Sequence, residues 1–269
     1  MEIVPLTDGE KTGAEARRDG KRVAHLAGLL GEAPTRGRHA WVGLGDHSLA
    51  AGESPDLLAD VYAAAGSPWV ADGYLTHFVV VPADGPLPQV FFGLCFGREQ
   101  VHASAPTRPE PPSTPAGLTI RQATPEDLEA LLDVVGTLSV HQAGPPVWTG
   151  LPVPGREELR GDWAEFLTED GAMILIAERD GSIVGYVGCY PADEEGVLHL
   201  GVAGTAPDMR GGGIGVALAE QALHRAHLDG YVSIELDWRS TNLLASRFWP
   251  RRGFVPTHLR LRRDVQPTA

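Results

Sequence analysis

From residue 118 onward, apolar residues alternate between two spacings, one suited to strands and one to helices. Leu118–Gln122 reads as a strand. Thr124-Pro125-Glu126-Asp127 then supplies a helix start, with Thr as N-cap, Pro at the first helical position and Asp at the third. Leu128–Leu138 carries apolar residues at helical spacing. Residues 139–156 form a Gly/Pro-rich connection, and a second helix follows over about 157–168. Ala172–Arg179 and Ser182–Tyr190 read as two strands joined by Asp180-Gly181, a strong hairpin turn. Glu195–Val202 predicts another strand. A glycine-rich turn at 210–213 opens a helix over about 214–229. Val232–Trp238 is strand-like, Leu243–Arg251 a short helix, and His258–Asp264 a last strand.

Upstream, Ser104–Pro115 holds five prolines in twelve residues. Such a run suits neither a helix interior nor a central strand, and it favours an extended spacer. The expected organisation is a first domain over 1–103, a linker over 104–117 and a second domain over 118–269. The halves also repeat one another. Asp72-Gly73-Tyr74 stands 157 residues before Asp229-Gly230-Tyr231, and Phe91 and Phe96 match Trp249 and Phe254 at an offset of 158. Both tripeptides follow a helical stretch and precede an apolar strand.

Composition narrows the function. Of 269 residues, 43% are hydrophobic and 21% charged, as in an ordinary globular protein. No apolar run approaches the ~18–20 residues of a membrane span, and the first residues lack the basic and apolar regions of a secretory signal. The expected location is the cytoplasm, with no membrane partner. Cys95 and Cys189 are too few for a disulfide framework or a four-ligand zinc site. A net charge of −13 argues against nucleic acid as a partner and is compatible with a cationic substrate.

The most informative segment runs from Thr205 to Ala217. A strand ends, the backbone turns through Arg210, Gly211, Gly212 and Gly213, and a helix begins at Ile214 and Gly215. Unhindered N–H groups at a helix N-terminus make an anion site, and Arg210 adds a permanent charge. The spacing is neither a dinucleotide fingerprint nor a Walker loop. Arg210-x-x-Gly213-x-Gly215, with Pro207 three residues before the arginine, resembles the acyl-CoA-binding motif of the GCN5-related N-acetyltransferases, the GNAT family. Asn242-x-x-Ala245-x-x-x-Trp249-x-x-x-Gly253-Phe254 resembles their second motif. The resemblance covers about 118–264.

That resemblance implies an α/β (α+β) fold: a mixed, mostly antiparallel sheet flanked by helices, with its fourth and fifth strands splayed apart. The repeat implies that this GNAT fold is present twice, the N-terminal copy being incomplete. Acetyl-CoA is the implied co-substrate. Its pyrophosphate would meet the amides of Gly211–Gly215, its pantetheine arm the backbone of Ala203, Gly204 and Thr205, with Asn242 and Trp249 alongside. In the first half, Glu53–Leu58 aligns with Arg210–Gly215, so carboxylates replace the arginine and a glycine and would repel phosphate.

The implied reaction is attack of a primary amine on the thioester. Freeing an alkyl ammonium at pH 7 costs about 4.6 kcal/mol, so a base is expected. Candidates are Glu194, Glu195, His199 and Asp237. His199 lies four residues from Ala203, roughly 13 Å along a strand, and would act through water. The position that usually carries the family's proton-donating tyrosine is Trp249, whose indole is no acid near neutral pH. Ser246 or water is the replacement donor. The acceptor pocket is expected between the 136–165 region and the segment after Phe254, with His141, Trp148 and Trp163 as candidate lining residues. Two functions stand: an acetyl-CoA-dependent N-acetyltransferase for a small amine, and a non-catalytic acyl-CoA-binding module. A chain holding two copies of one fold is expected to be a monomer or a weak homodimer.

Overall fold

The computed structural model describes residues 1–266. The described residues form two compact units, one comprising residues 1–102 and 256–266, the other Ala103–Val255.

The first unit begins with three antiparallel strands, β1 (Glu2–Asp8), β2 (Lys11–Arg18) and β3 (Lys21–Ala33). β4 (Gly37–Val42) and β5 (His47–Leu49) both pair with β3. Then come α1 (Leu57–Ala71), β6 (Thr76–Pro82), α2 (Leu87–Gly93) and β7 (Gly97–Pro106), which crosses into the second unit. α1 lies on the sheet through Leu58, Val61, Ala65 and Trp69. The Trp69 indole approaches β3 because residue 28 is glycine: a Cβ there would lie 3.0 Å from the ring. The Trp69 N–H donates to Thr12 Oγ1 at 3.0 Å. Only a tight turn separates β1 from β2, so the first unit has no helix between its first two strands.

The second unit holds β8 (Thr119–Gln122), α3 (Leu128–Ala143), α4 (Arg156–Phe166), β9 (Met173–Arg179), β10 (Ser182–Pro191), β11 (Val197–Thr205), α5 (Ile214–Leu228), β12 (Ser233–Arg239) and α6 (Leu243–Phe248). Its sheet runs β8-β9-β10-β11-β12, antiparallel except for the parallel pair β11–β12. α3 and α4 cover one face through Leu131, Val135 and Trp163 on Ile174, Ile176 and Tyr186. α5 covers the other, and a Cβ at Gly185 would lie 3.0 Å from Ile214 and Leu218. Helices on both sides explain why Met173–Ala177 is buried throughout instead of alternating. The architecture is the mixed α/β arrangement expected, and α1 and α5 start 157 residues apart.

Two expectations need correction. The strand expected at His258–Asp264 is β13 (Val255–Asp264), and it completes the first unit's sheet. It pairs antiparallel with β6, from His258↔Pro82 to Asp264↔Thr76. Leu259 and Leu261 make it a half-buried strand, but alternation does not say against which sheet. The proline-rich stretch is also no free spacer. Ser104–Pro106 finishes β7, with Ala105 buried. Thr107 N–H then donates to the Val232 carbonyl at 3.0 Å, and Arg108 pairs with Glu220. Prolines forbid helix, not docking.

At the start of α3, Thr124 and Asp127 form a reciprocal capping box. Arg121 grips both Asp127 oxygens at 2.7 Å and also pairs with Glu178. The Arg121 bonds, aided by the Thr124 amide and hydroxyl, hold the Asp127 pKa at about 2. A depressed carboxylate stabilises the fold above its unfolded pKa, near ~4, and loses that contribution as pH falls towards 2. Asp127→Ala is expected to cost about 1–2 kcal/mol at pH 7. Urea melts at pH 7 and pH 2 check this: the difference from wild type shrinks at the lower pH.

Candidate functional site

β11 and β12 pair at only four positions, ending at Leu200↔Leu236. β11 stays paired with β10 as far as Gly185↔Thr205, with Gly201 as an extra residue at a bulge. From Gly201 to Thr205 one edge of β11 therefore has no strand beside it. The strands part there, and a cavity of about 470 Å³ opens.

Ala203, Gly204 and Thr205 form one wall. The turn into α5 forms the next, where Gly211 (φ +85°) and Gly213 (φ +79°) take left-handed backbone that a side chain would strain. Gly213 is the α5 N-cap, and no acidic residue stands in the helix's first turn. The amides of that turn lack intrahelical partners. Arg210 lines the same cavity, is exposed, and has no ion-pair partner among the described residues. Asn242 closes the far side. Its Oδ1 accepts from Ala245 N–H at 3.1 Å, capping α6, and from His141 Nε2 at 3.3 Å. Trp249 lines the cavity while 8% exposed, edge-on to Phe248 and Phe254 at centroid distances of 4.8 and 5.2 Å.

Of the residues read from sequence as cofactor-binding, the cavity gathers Ala203, Gly204, Thr205, Arg210, Gly211, Gly213, Ile214, Gly215, Asn242 and Trp249. Gly212 is in the same turn but off the lining. The candidate catalytic residues are not in this cavity. His199 is half-buried on β11, its Nδ1 3.2 Å from Glu235 Oε1 and its Nε2 4.0 Å from Asp237 Oδ1. Glu195, like Glu194, sits in the exposed turn between β10 and β11. Ser246 donates to the Ser240 carbonyl at 3.3 Å.

A second cavity of about 820 Å³ adjoins the first, with Leu138 and Tyr186 lining both. It lies between α3, α4 and the sheet, with Trp163, Phe166, Tyr190 and Gly201 in its walls. Of the expected acceptor residues, Trp163 lines this second cavity and His141 the first. Trp148 is 68% exposed and lines neither. The segment after Phe254 belongs to the first unit's sheet.

Sequence reasoning missed Tyr186 and Tyr190. A signal was present: Tyr186-x-Gly188-x-Tyr190 puts all three on one face of β10. Each aromatic lies over a glycine. A Cβ at Gly204 would be 2.6 Å from Tyr186, at Gly201 2.7 Å from Tyr190, and at Gly188 2.5 Å from Phe166. Tyr186 donates its hydroxyl to the Val135 carbonyl at 3.2 Å, and burial pushes its pKa up.

Residues 134–254 match the family model described as the acetyltransferase (GNAT) family. A mycothiol acetyltransferase of Streptomyces avermitilis is 29% identical over 149 residues, covering 55% of this chain and 46% of that protein. The chain thus spans less than half the length of that relative. Among solved structures, a GCN5-related N-acetyltransferase from Sphaerobacter thermophilus superposes with a TM-score of 0.63 at 18% identity, over 97% of this chain and 82% of that one. A tandem GNAT protein from the clavulanic acid biosynthesis pathway gives 0.50 at 16% identity, over 98% and 86%. Both carry the same fold.

The glycine–aromatic packing predicts opposite outcomes for two identical changes. Gly204→Ala drives a methyl into the Tyr186 ring and is expected to cost about 1–3 kcal/mol. Gly161→Ala, in α4 with nothing within 4 Å, is expected to gain about 0.4–1 kcal/mol. Thermal melts of both variants check the sign.

Proposed function

We propose, because residues 134–254 match the acetyltransferase (GNAT) family model, that the chain is an acetyl-CoA-dependent N-acetyltransferase acting on the primary amine of a small molecule. The observation that carries this is the first cavity, where a strand edge, helix-start amides and an arginine without an ion-pair partner among the described residues open into one space.

The residues present suit acetyl-CoA. The amides of Gly211–Gly215 and the Arg210 guanidinium offer donors and positive charge to a pyrophosphate. The free backbone groups of Ala203–Thr205 offer strand-like pairing to the amides of pantetheine. Trp249 and Phe248 give an apolar wall. When bound, the co-substrate supplies the activated acetyl group. A free amine forms the new C–N bond at the thioester carbonyl, the C–S bond breaks, and the amine's extra proton passes to a base.

His199 is the base in this reading. Glu235 accepts from Nδ1–H, leaving the Nε2 lone pair to take a proton through water. Glu195 is four residues further from the cavity, in solvent. No side-chain acid is required at Trp249. A thiol pKa of about 8.5 makes the thiolate a fair leaving group, costing roughly 2 kcal/mol at pH 7. Water is a better donor than Ser246, whose hydroxyl is engaged with Ser240. The setting is the cytoplasm, where the exposed Cys95 stays reduced. Among the described residues no helix is long and apolar enough to cross a membrane.

The first test is calorimetric titration with acetyl-CoA, followed by a thiol-release screen over primary amines. Binding with release is expected. Binding without release across the panel would favour a non-catalytic acyl-CoA-binding module. Arg210→Glu is expected to weaken acetyl-CoA binding at least tenfold with an unchanged circular dichroism spectrum. His199→Ala is expected to lower kcat by about 10²-fold or more while leaving the acetyl-CoA Kd within twofold.

A further inference from the structure

The second cavity has a chemistry of its own. Its floor is aromatic and glycyl: Tyr186, Tyr190 and Gly201. Its wall is α4 and the residues after it, where Trp163 and Phe166 stand beside Asp162, Glu165 and Glu169. Among the described residues no lysine, arginine or histidine lines it. None of the three carboxylates has an ion-pair partner among the described residues. Tyr190 ties the floor to the charge. Its phenol pKa is raised, first by partial burial and then by Asp237, Glu169 and Glu235. A ring packed on His199 and Phe166 with carboxylates nearby is a poor neighbour for an anion and a good one for a cation.

We propose that this cavity seats an acceptor with two cationic nitrogens separated by an apolar spacer. One nitrogen reaches past Leu138 and Tyr186 to the first cavity and is acetylated as the free amine. The other stays protonated against the edge-to-face pair of Tyr190 and Phe166, beside the carboxylates of Glu165 and Glu169. The spacer crosses Val135, Leu159 and Val202. This rests on the acetyltransferase reading above and adds the acceptor's class to it. A second cation explains the arrangement better than a lone amine does, because the reacting nitrogen must shed its charge while the carboxylates retain theirs.

The experiment compares kcat/KM for 1,4-diaminobutane to 1,8-diaminooctane with the monoamines of equal length and with 6-aminohexanoate. The best diamine is expected to exceed its monoamine at least tenfold, with 6-aminohexanoate lowest. Glu169→Gln and Glu165→Gln are each expected to lower the diamine-to-monoamine ratio about three- to fivefold. A monoamine equal to or better than every diamine, or a ratio unmoved in both variants, overturns the proposal. Quenching of Trp163 fluorescence by the diamines, followed in the wild type and in Trp163→Phe, reads the seat without turnover. If acetyl-CoA binds and no amine is acetylated, saturable quenching by diamines but not monoamines upholds the seat while the transferase reading falls. No quenching by diamines overturns the seat alone.

Discussion

A strand inside a sheet has two edges to satisfy, and β11 satisfies both only as far as Leu200. Beyond it the ladder with β10 continues, past the Gly201 bulge, from Val202 to Thr205 while the ladder with β12 is gone. Much else in the second unit keeps that half-paired segment open. The Gly201 bulge re-aims it, and the Tyr186 and Tyr190 rings lie over Gly204 and Gly201, so β11 cannot swing towards β12 without leaving aromatic packing behind. β11 ends at Thr205 and α5 begins at Ile214, and the free amides of that helix start open into the same space as the free edge of β11. Two sets of unsatisfied backbone groups face one cavity, and unsatisfied backbone is costly unless water or a ligand meets it.

The first unit meets the same constraint differently. Its parallel pair β4–β6 also stops, at Val42↔Val79. There a side chain bridges the gap: the His47 imidazole donates Nε2–H to the Val80 carbonyl at 2.8 Å. Burial lowers the His47 pKa, so it serves as a neutral donor. Before α1, where the second unit has its glycine turn, Glu53 is held by Arg18 at 2.9 Å, and Asp60 stands in the first helical turn. On the proposed reading, acidic residues at that helix start and the bridged gap disfavour a pyrophosphate in the first unit. One fold thus yields an opening in one unit and a closed seam in the other.

Legibility in the sequence followed the range of each interaction. Gly211 and Gly213 act within a few residues, through positive φ, and the turn they make before α5 could be read directly. The 157-residue repeat located α1 and α5 because periodicity survives where side chains diverge. Pairing partners are long-range, and there the reading failed. Leu259 and Leu261 announced a buried strand face but not that β6, about 180 residues earlier, receives it. The aromatic floor was also hidden. Tyr186 and Tyr190 share a face by simple alternation, but what they rest on depends on the bulge at Gly201, and a bulge has no fixed spacing.

The two cavities of the second unit also differ in charge, and the difference sorts what can enter each. Arg210 and the start of α5 make the mouth of the first cavity positive; Asp162, Glu165 and Glu169 make the second negative. On the proposed reading, a polyphosphate is drawn to the first and repelled from the second, and a protonated amine the reverse. The contents meet only at Leu138 and Tyr186, which are common to both linings. That boundary is apolar apart from one hydroxyl, already committed to the Val135 carbonyl. An ammonium crossing it loses water without gaining a counter-ion, which lowers its pKa towards the neutral form that attacks. The carboxylates therefore serve best at a distance from the reacting nitrogen. Beside it they would stabilise the ammonium and oppose the reaction.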